Sequence, residues 1–169
     1  FVRDGIAPLK TSRIKMLILR GVLNFGAMLC FFTALSLAPI ADVTALSFTA
    51  PLFATLLAIL ILKEKIGWRR ALAIGCGFAG TLVVLRPGFE EIGVGNALVL
   101  ISATFWGACV IIVKDLGRTE SAVTITTYMS LVMAPLALVP ALFVWSTPSM
   151  IDFGWLLLLG ILGGIGQLA

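Results

Sequence analysis

The stretch "SFTAPLFATLLAILILKEKIGWRR", from Ser47 to Arg70, decides the fold. Pro51 stands inside a long apolar run, and the run stops at the charged cluster that begins with Lys63. A helix needs about twenty apolar residues to cross a bilayer core. Stretches of this kind recur along the chain between short polar loops, so the pattern predicts an all-α polytopic membrane protein.

The composition supports this interpretation. Hydrophobic residues make up 60% of the 169 residues and charged residues 12%, with a mean hydropathy of +1.14. Soluble domains are nearer half apolar and a quarter charged. Helices satisfy their own backbone hydrogen bonds in lipid, whereas isolated strands do not. We predict six spans: Met16 to Leu37, Val43 to Leu62, Trp68 to Leu85, Gly93 to Val113, Val123 to Val144, and Phe153 to Ala169.

The charged residues predict the orientation of these spans. Three basic loops share one side of the membrane: Lys10 to Lys15, Lys63 to Arg70, and Lys114 to Arg118. The other side has only Arg86 among the acids Asp42, Glu90, Glu91 and Asp152. Cytoplasmic loops are enriched in Lys and Arg, so the basic side is expected to be cytoplasmic in a cell (inner or plasma) membrane. Span ends account for the net charge of +4, and no nucleic-acid partner is expected.

The sequence offers little to a catalytic or metal site. It contains no histidine, which removes the usual base of a serine nucleophile and the commonest metal ligand. Cys30, Cys76 and Cys109 fall in three different spans, without the spacing of a metal site. We expect no catalytic residues, no metal and no cofactor.

Two segments five helices apart resemble each other. "LILRGVLNFGAMLC" (Leu17 to Cys30) and "LLLLGILGGIGQLA" (Leu156 to Ala169) share leucines and a glycine at matching positions. Copies separated by an odd number of helices run in opposite directions across the membrane. Inverted repeats of this kind occur in many secondary transporters, where the substrate binds near the midplane between the halves.

The region from Phe31 to Gly88 resembles the EamA-type domain of the drug/metabolite transporter superfamily. The matching features are Ala-Leu and Ala-Asp around a short loop, Ala-Pro-Leu-Phe within a helix, Glu64 at the end of that helix, Gly-Trp-Arg-Arg at the start of the next, and Gly-Phe-Ala-Gly inside it. The resemblance implies ten helices in two inverted five-helix repeats. Residues 1–92 would be the latter part of the first repeat and residues 93–169 the beginning of the second, each with three visible spans. The first two and the last two helices would lie outside this sequence, and the sixth visible span would be cut short.

The resemblance implies a secondary transporter that moves a small organic metabolite by alternating access between the two repeats. Its partners would be a small-molecule substrate and the lipid bilayer, and the oligomeric state is not indicated. The alternatives are an integral membrane enzyme with catalytic residues outside this fragment, and a channel or structural membrane subunit.

Polar and aromatic side chains within the spans are candidates to line a substrate cavity. Pro51 is either a packing kink or a bend beside the substrate path, and the hydroxyls near it either bond neighbouring helices or face substrate. The amide of Asn24 needs a partner at its depth, either protein or water. The resemblance places the fourth visible span beside the cavity. The full candidate set is Asn24, Met28, Thr44, Ser47, Phe48, Pro51, Thr55, Ser102, Phe105, Trp106 and Gln167.

Three charged residues are assigned gating or structural roles. Arg20 either snorkels to the cytoplasmic interface or contacts substrate with Asn24. Asp42 is expected to cap the second span. Glu64 is either a solvated interface acid between two lysines or a gating contact. The glycines Gly75, Gly77 and Gly80 are expected to be close-packing contacts between helices.

Overall fold

The computed structural model describes residues 11–63, 67–85, 93–145 and 147–168. Within them the chain forms helices and no strand. The helices are α1 (Ile14–Leu37), α2 (Ile40–Ser47), α3 (Ala50–Leu62), α4 (Trp68–Leu85), α5 (Val94–Leu116), α6 (Ala122–Phe143) and α7 (Met150–Leu168). The predicted all-α class is confirmed, and each of the six predicted spans corresponds to a helix or, for the second span, to α2 and α3 together.

The lengths of the helices suit a bilayer. Four segments are long and apolar enough to cross a membrane: α1, the combined Ile40–Leu62 segment, α5 and α6. The apolar parts of α4 and α7, Ala71–Val83 and Met150–Gly164, are shorter. The described chain is therefore a multi-pass membrane protein built from apolar helices.

The second span is broken where the sequence places its proline. Phe48 and Thr49 separate α2 from α3, and Pro51 lies in the first turn of α3. Proline has no backbone N–H and its ring clashes with the carbonyl four residues earlier, so it fits a first turn and interrupts a helix interior. The backbone N–H of Thr49 donates to the oxygen of Leu46 at 3.0 Å, which tightens the end of α2.

The predicted capping role of Asp42 is wrong. Pro39 occupies the N-cap position of α2 with φ −56° and ψ 137°, and α2 begins at Ile40 without a side-chain cap. A proline at this position starts the helix earlier than expected, because its fixed φ directs the next residues into a turn. Asp42 lies instead in the first turn of α2, where a carboxylate is favoured by the positive end of the helix dipole.

The contacts divide the chain into two compact units. The first consists of residues up to Gly21 and from Leu116 onward, and the second of Val22–Asp115. In the second unit, the buried residues Ala34, Val43, Leu46 and Val99 form a core that joins α1, α2 and α5. This division is based on contacts between residues and does not test how the sequence repeats. The repeat boundary expected near residue 92 therefore stays a prediction.

The first unit is stabilised by a helix cap, a hydrogen bond between side chains, and a close contact between α1 and α6. Ser121 caps α6 by accepting a hydrogen bond from the backbone N–H of Thr124 at 3.1 Å. The Thr11 hydroxyl donates to Glu120 Oε1 at 2.6 Å. A Cβ on Gly21 would lie 2.6 Å from Cγ1 of Val132, so only a glycine lets α1 and α6 approach this closely here.

Candidate functional site

Three predicted site residues of α5 contact α1 in the second unit: Ser102, Phe105 and Trp106. The hydroxyl of Ser102 donates to the carbonyl of Ala27 at 2.7 Å, and Ser102 is fully buried. One turn further along α5, the ring of Phe105 lies 3.3 Å from the position that a Cβ on Gly26 would take. The two helices are therefore in direct contact along this face, and the Ser102 hydroxyl is occupied by the bond between them.

An aromatic pair extends the same face. The rings of Phe31 and Trp106 lie 5.3 Å apart between centroids, tilted by 46°, within the range of favourable aromatic contacts. Phe31 was not among the predicted site residues. It follows Asn24 by seven residues, so the helical period places both on one face of α1, and this spacing was the signal that could have identified it.

Asn24 and Met28 are half-buried on α1, and Trp106 is half-buried on α5. The other tryptophans of the described helices and loops, Trp68, Trp145 and Trp155, are all exposed, as residues of an interfacial aromatic belt would be. Trp106 is thus the more buried residue in this comparison.

The hydroxyls of the broken span bond within their own helices. Thr44 donates to Ile40 at 2.7 Å, Ser47 to Thr44 at 2.7 Å, and Thr55 to Pro51 at 2.8 Å, in each case to a backbone oxygen. These bonds to the preceding turn compete with other partners for the hydroxyl. The structure thus provides a partner for these groups that neither sequence interpretation had considered.

Phe48 and Pro51 lie at the break between α2 and α3. Phe48 is 78% exposed and lines a cavity of about 320 Å³ with Ala45, Thr49, Leu52, Gly77, Gly80 and Thr81. Phe48 is thus a predicted site residue whose side chain lines a cavity.

The remaining predicted site residues are Arg20 and Glu64, which were assigned gating or structural roles, and the cavity candidate Gln167. Arg20 lies in the first unit and donates through Nη1 to the carbonyl of Ile125 on α6 at 3.2 Å. Gln167 lies in α7. Glu64 lies outside the described residues. Lys63 ends α3 with a positive φ of 51°, and its N–H donates to the oxygen of Ala58.

The glycines of α4 differ from the expected packing role. A Cβ on Gly77 would lie 2.7 Å from Leu52 Cδ2, so Gly77 is a close contact between α4 and α3. Gly75 and Gly80 have no neighbour within 4 Å of the same position. The close-packing prediction is confirmed for Gly77 and wrong, within the described structure, for the other two. On α5, Gly107 makes a comparable contact, with a Cβ position 2.8 Å from the backbone nitrogen of Ala54.

Across the described part of the chain, no three His, Cys, Asp or Glu side chains lie together as metal ligands would. The contacts between α1 and α5 join a serine hydroxyl to a backbone carbonyl, a phenylalanine ring to a glycine, and two aromatic rings to each other.

Comparison with known proteins identifies the family. The model of the EamA-like transporter family matches residues 1–86, and the chain belongs to this family. No solved structure matches the chain.

The relatives are named as transporters of different metabolites. The chain is 33% identical over 161 residues to an S-adenosylmethionine uptake transporter of Rickettsia bellii, covering 95% of this chain and 55% of the relative. It is 33% identical over 135 residues to a riboflavin transporter of Brucella anthropi, covering 80% and 48%. A pseudopaline exporter of Pseudomonas aeruginosa is 27% identical over 171 residues, covering 98% and 59%. The chain spans about half the length of these relatives.

Proposed function

We propose that the protein containing this chain is a secondary transporter of a small organic metabolite, working by alternating access between two inverted repeats. Membership of the EamA-like transporter family carries this proposal. The complete protein would supply the helices that pair with those described here. The basic loops would face the cytoplasm of a cell that holds the protein in its inner or plasma membrane.

The face shared by α1 and α5 is the part of the chain we assign to the substrate path. Asn24 and Met28 would contribute an amide and a thioether from α1, and Trp106 an aromatic surface from α5. Ser102 would act as a positioning residue, because its hydroxyl holds α5 to α1 through the carbonyl of Ala27. Phe105 would act in the same way through its contact with Gly26.

A metabolite with a planar heteroaromatic ring fits this face. The names of the relatives include S-adenosylmethionine and riboflavin, and both molecules contain such a ring. The pair formed by Phe31 and Trp106 offers an aromatic surface on which a planar ring can stack. The names also include both uptake and export, so we assign no direction.

Proteoliposomes containing the full-length protein test this proposal. Radiolabelled S-adenosylmethionine and riboflavin are offered on one side, and counterflow is measured after preloading with unlabelled compound. A transporter moves the compound unchanged, saturates, and shows counterflow. Flux that is linear in concentration and lacks counterflow would identify a channel, and chemically altered compound would identify an enzyme.

Substitution of Trp106 tests the assigned face. Trp106→Ala is expected to lower the affinity for the transported compound about tenfold, since stacking on an aromatic side chain is worth about 1–3 kcal/mol. Trp106→Phe should recover part of the loss. Trp145→Ala, at an exposed tryptophan of the first unit, is the matched control. Equal transport by the Ala variants of Trp106 and Asn24 and by the unsubstituted protein would overturn the site assignment.

A further inference from the structure

A cavity of about 310 Å³ lies between α3, α4 and α5 in the second unit. Its lining contains none of the residues assigned above to the substrate path. Seven of the lining residues are apolar and two are threonines: Leu52, Phe53, Leu56, Ile74, Phe78, Leu82, Leu100, Thr49 and Thr81. The cavity is therefore considered separately from the substrate path.

The two threonines offer no hydroxyl to an occupant. Thr49 donates to the carbonyl of Leu46 at 2.6 Å, and Thr81 donates to the carbonyl of Gly77 at 3.0 Å. Each hydroxyl is thus bonded within its own stretch of chain. An occupant meets hydrocarbon groups, so a charged or hydrogen-bonding metabolite would lose its water without gaining a partner.

We expect the cavity to lie at the depth of the hydrocarbon core. Trp68, at the start of α4, is 70% exposed and lies 5.8 Å from the Arg69 guanidinium carbon, an arrangement suited to the membrane interface. Ile74 and Leu82 follow Trp68 by about 9 and 21 Å along the helix, at 1.5 Å per residue. Both positions fall within a hydrocarbon core that is about 30 Å thick.

The rim of the cavity opens at the surface of the described unit. Phe78 is 60% exposed, Leu56 is 48% exposed and Leu82 is 41% exposed. The lining on α4 runs over about two turns, from Ile74 to Leu82, so the space is extended along the helix axis. An acyl chain is both apolar and elongated, and acyl chains are the molecules present at this depth in a bilayer.

We propose that this cavity binds one acyl chain of a membrane lipid, held between α3 and α4. The lipid would fill space that the side chains leave open and would pack against Leu52 beside the Gly77 contact. This role does not depend on the transported compound. Its failure would leave the proposed transport function intact, and a failure of the transport assay would leave lipid binding to be decided by its own measurement.

Photolabelling in lipid nanodiscs tests the proposal. The full-length protein is reconstituted with a phospholipid that carries a diazirine on one acyl chain, irradiated, and mapped by peptide mass spectrometry. Adducts are expected to concentrate on Leu56, Phe78 and Leu82. Leu82→Trp, which places a large ring in the cavity, should reduce these adducts about tenfold, the effect expected when a side chain occupies space that the ligand needs.

Val83→Trp is the matched control, because Val83 is the adjacent residue, is 74% exposed, and does not line the cavity. It should leave the adducts on Phe78 and Leu56 unchanged. If Leu82→Trp fails to fold, Leu82→Asn and Val83→Asn replace the pair, and retention of lipid is compared by native mass spectrometry. Equal labelling in the two variants would overturn the proposal.

Two other occupants give distinct results. In protein with Cys30, Cys76 and Cys109 replaced by alanine, Phe78→Cys would cross-link to a second copy if the cavity were an interface between copies. Protection of Phe78 from the lipid probe by a transported metabolite would identify a substrate site. Either result would overturn the assignment to an acyl chain.

Discussion

At the scale of single residues, the serine and threonine hydroxyls within the helices differ in the partner that they bond. Most bond to a backbone oxygen of the preceding turn, as Thr44 and Thr55 do. Ser102 instead donates to Ala27 on another helix and is fully buried. A bond that joins two helices contributes to their association in lipid, whereas a bond within one helix chiefly satisfies the hydroxyl itself.

Ser102→Ala should therefore lower the stability of the folded protein. The expected loss is about 0.6–1.5 kcal/mol, the range measured for hydrogen bonds between membrane helices and within proteins. The free energy of unfolding is measured by denaturant titration in bicelles. Ser36→Ala is the control, since Ser36 is exposed and donates to Thr33 within its own helix. Equal losses in the two variants would contradict a special role for the bond between helices.

The sequence predicted the buried candidates on α5 but not their partners. Ser102, Phe105 and Trp106 share a face by helical period alone, so their grouping was predictable. Their contacts with Ala27, Gly26 and Phe31 depend on how two helices distant in the sequence pack together. Neither periodicity nor composition contains that information. Asp42 was missed for a local reason, because Pro39 takes the N-cap position three residues before Asp42.

At the scale of helices, the break between α2 and α3 separates two segments that are packed in different ways. Val43 and Leu46 of α2 are buried in the core with Ala34 and Val99. The first turns of α3 are approached closely by Gly77 of α4 and Gly107 of α5. Pro51 was recognised from the sequence as an interruption, and the exact form of the break, two helices with two residues between them, required the structure.

Pro51→Ala should join α2 and α3 into one helix. The variant restores the missing backbone donor, so the carbonyl of Ser47 can accept a regular helical bond. Spin labels at Ala41 and Ile61 report the result by pulsed electron resonance. The distance between the two labelled positions should increase toward about 30 Å, the length of twenty residues of unbroken helix.

The matched proline control is Pro135→Ala, at a proline inside α6, which should leave this distance unchanged. A distance unaffected by Pro51→Ala would show that packing of the two segments, rather than the proline, maintains the break. Transport by the same variants shows whether the break between α2 and α3 is required for transport.

Gly107→Ala should destabilise the contact between α5 and α3. Its new Cβ would lie 2.8 Å from the Ala54 nitrogen and 3.1 Å from the Phe53 carbonyl carbon, and backbone atoms cannot move aside as a side chain can. The expected cost is about 1–3 kcal/mol, as for overpacking in other cores, measured by unfolding in bicelles. Gly75→Ala, where a Cβ has open space, should be neutral or stabilising, because alanine favours the helix more than glycine does. If Gly107→Ala left the free energy of unfolding unchanged, α5 and α3 would be able to move apart at little cost.

At the scale of the whole molecule, the orientation in the membrane remains a prediction from charge. We expect the Lys63 to Arg70 turn to face the cytoplasm, and the loop between α6 and α7 to face the opposite side. Hydropathy predicted the limits of the helices well, because a segment that crosses a membrane must match the thickness of the bilayer. Four of the six predicted spans are long and apolar enough to cross a membrane, and the apolar parts of α4 and α7 are shorter. Hydropathy contained nothing about the cavity between α3, α4 and α5, which arises from gaps between side chains of different helices.

Cysteine labelling of intact cells tests the orientation. In protein whose three native cysteines are replaced, Thr147→Cys should react with a membrane-impermeant maleimide, because it lies on the side with few basic residues. Gly67→Cys should react only after the cells are permeabilised. The reverse pattern would contradict the positive-inside interpretation.

The hydroxyls that bond to their own helices have a consequence for biosynthesis. Hydropathy scales count each threonine and serine as a polar residue, yet Thr44, Ser47 and Thr55 already satisfy a donor locally. The translocon, which sorts nascent segments by the cost of moving them into lipid, would encounter the Ile40–Leu62 segment as less polar than its composition states. Exchange of these threonines for valine should therefore change the efficiency of membrane insertion very little.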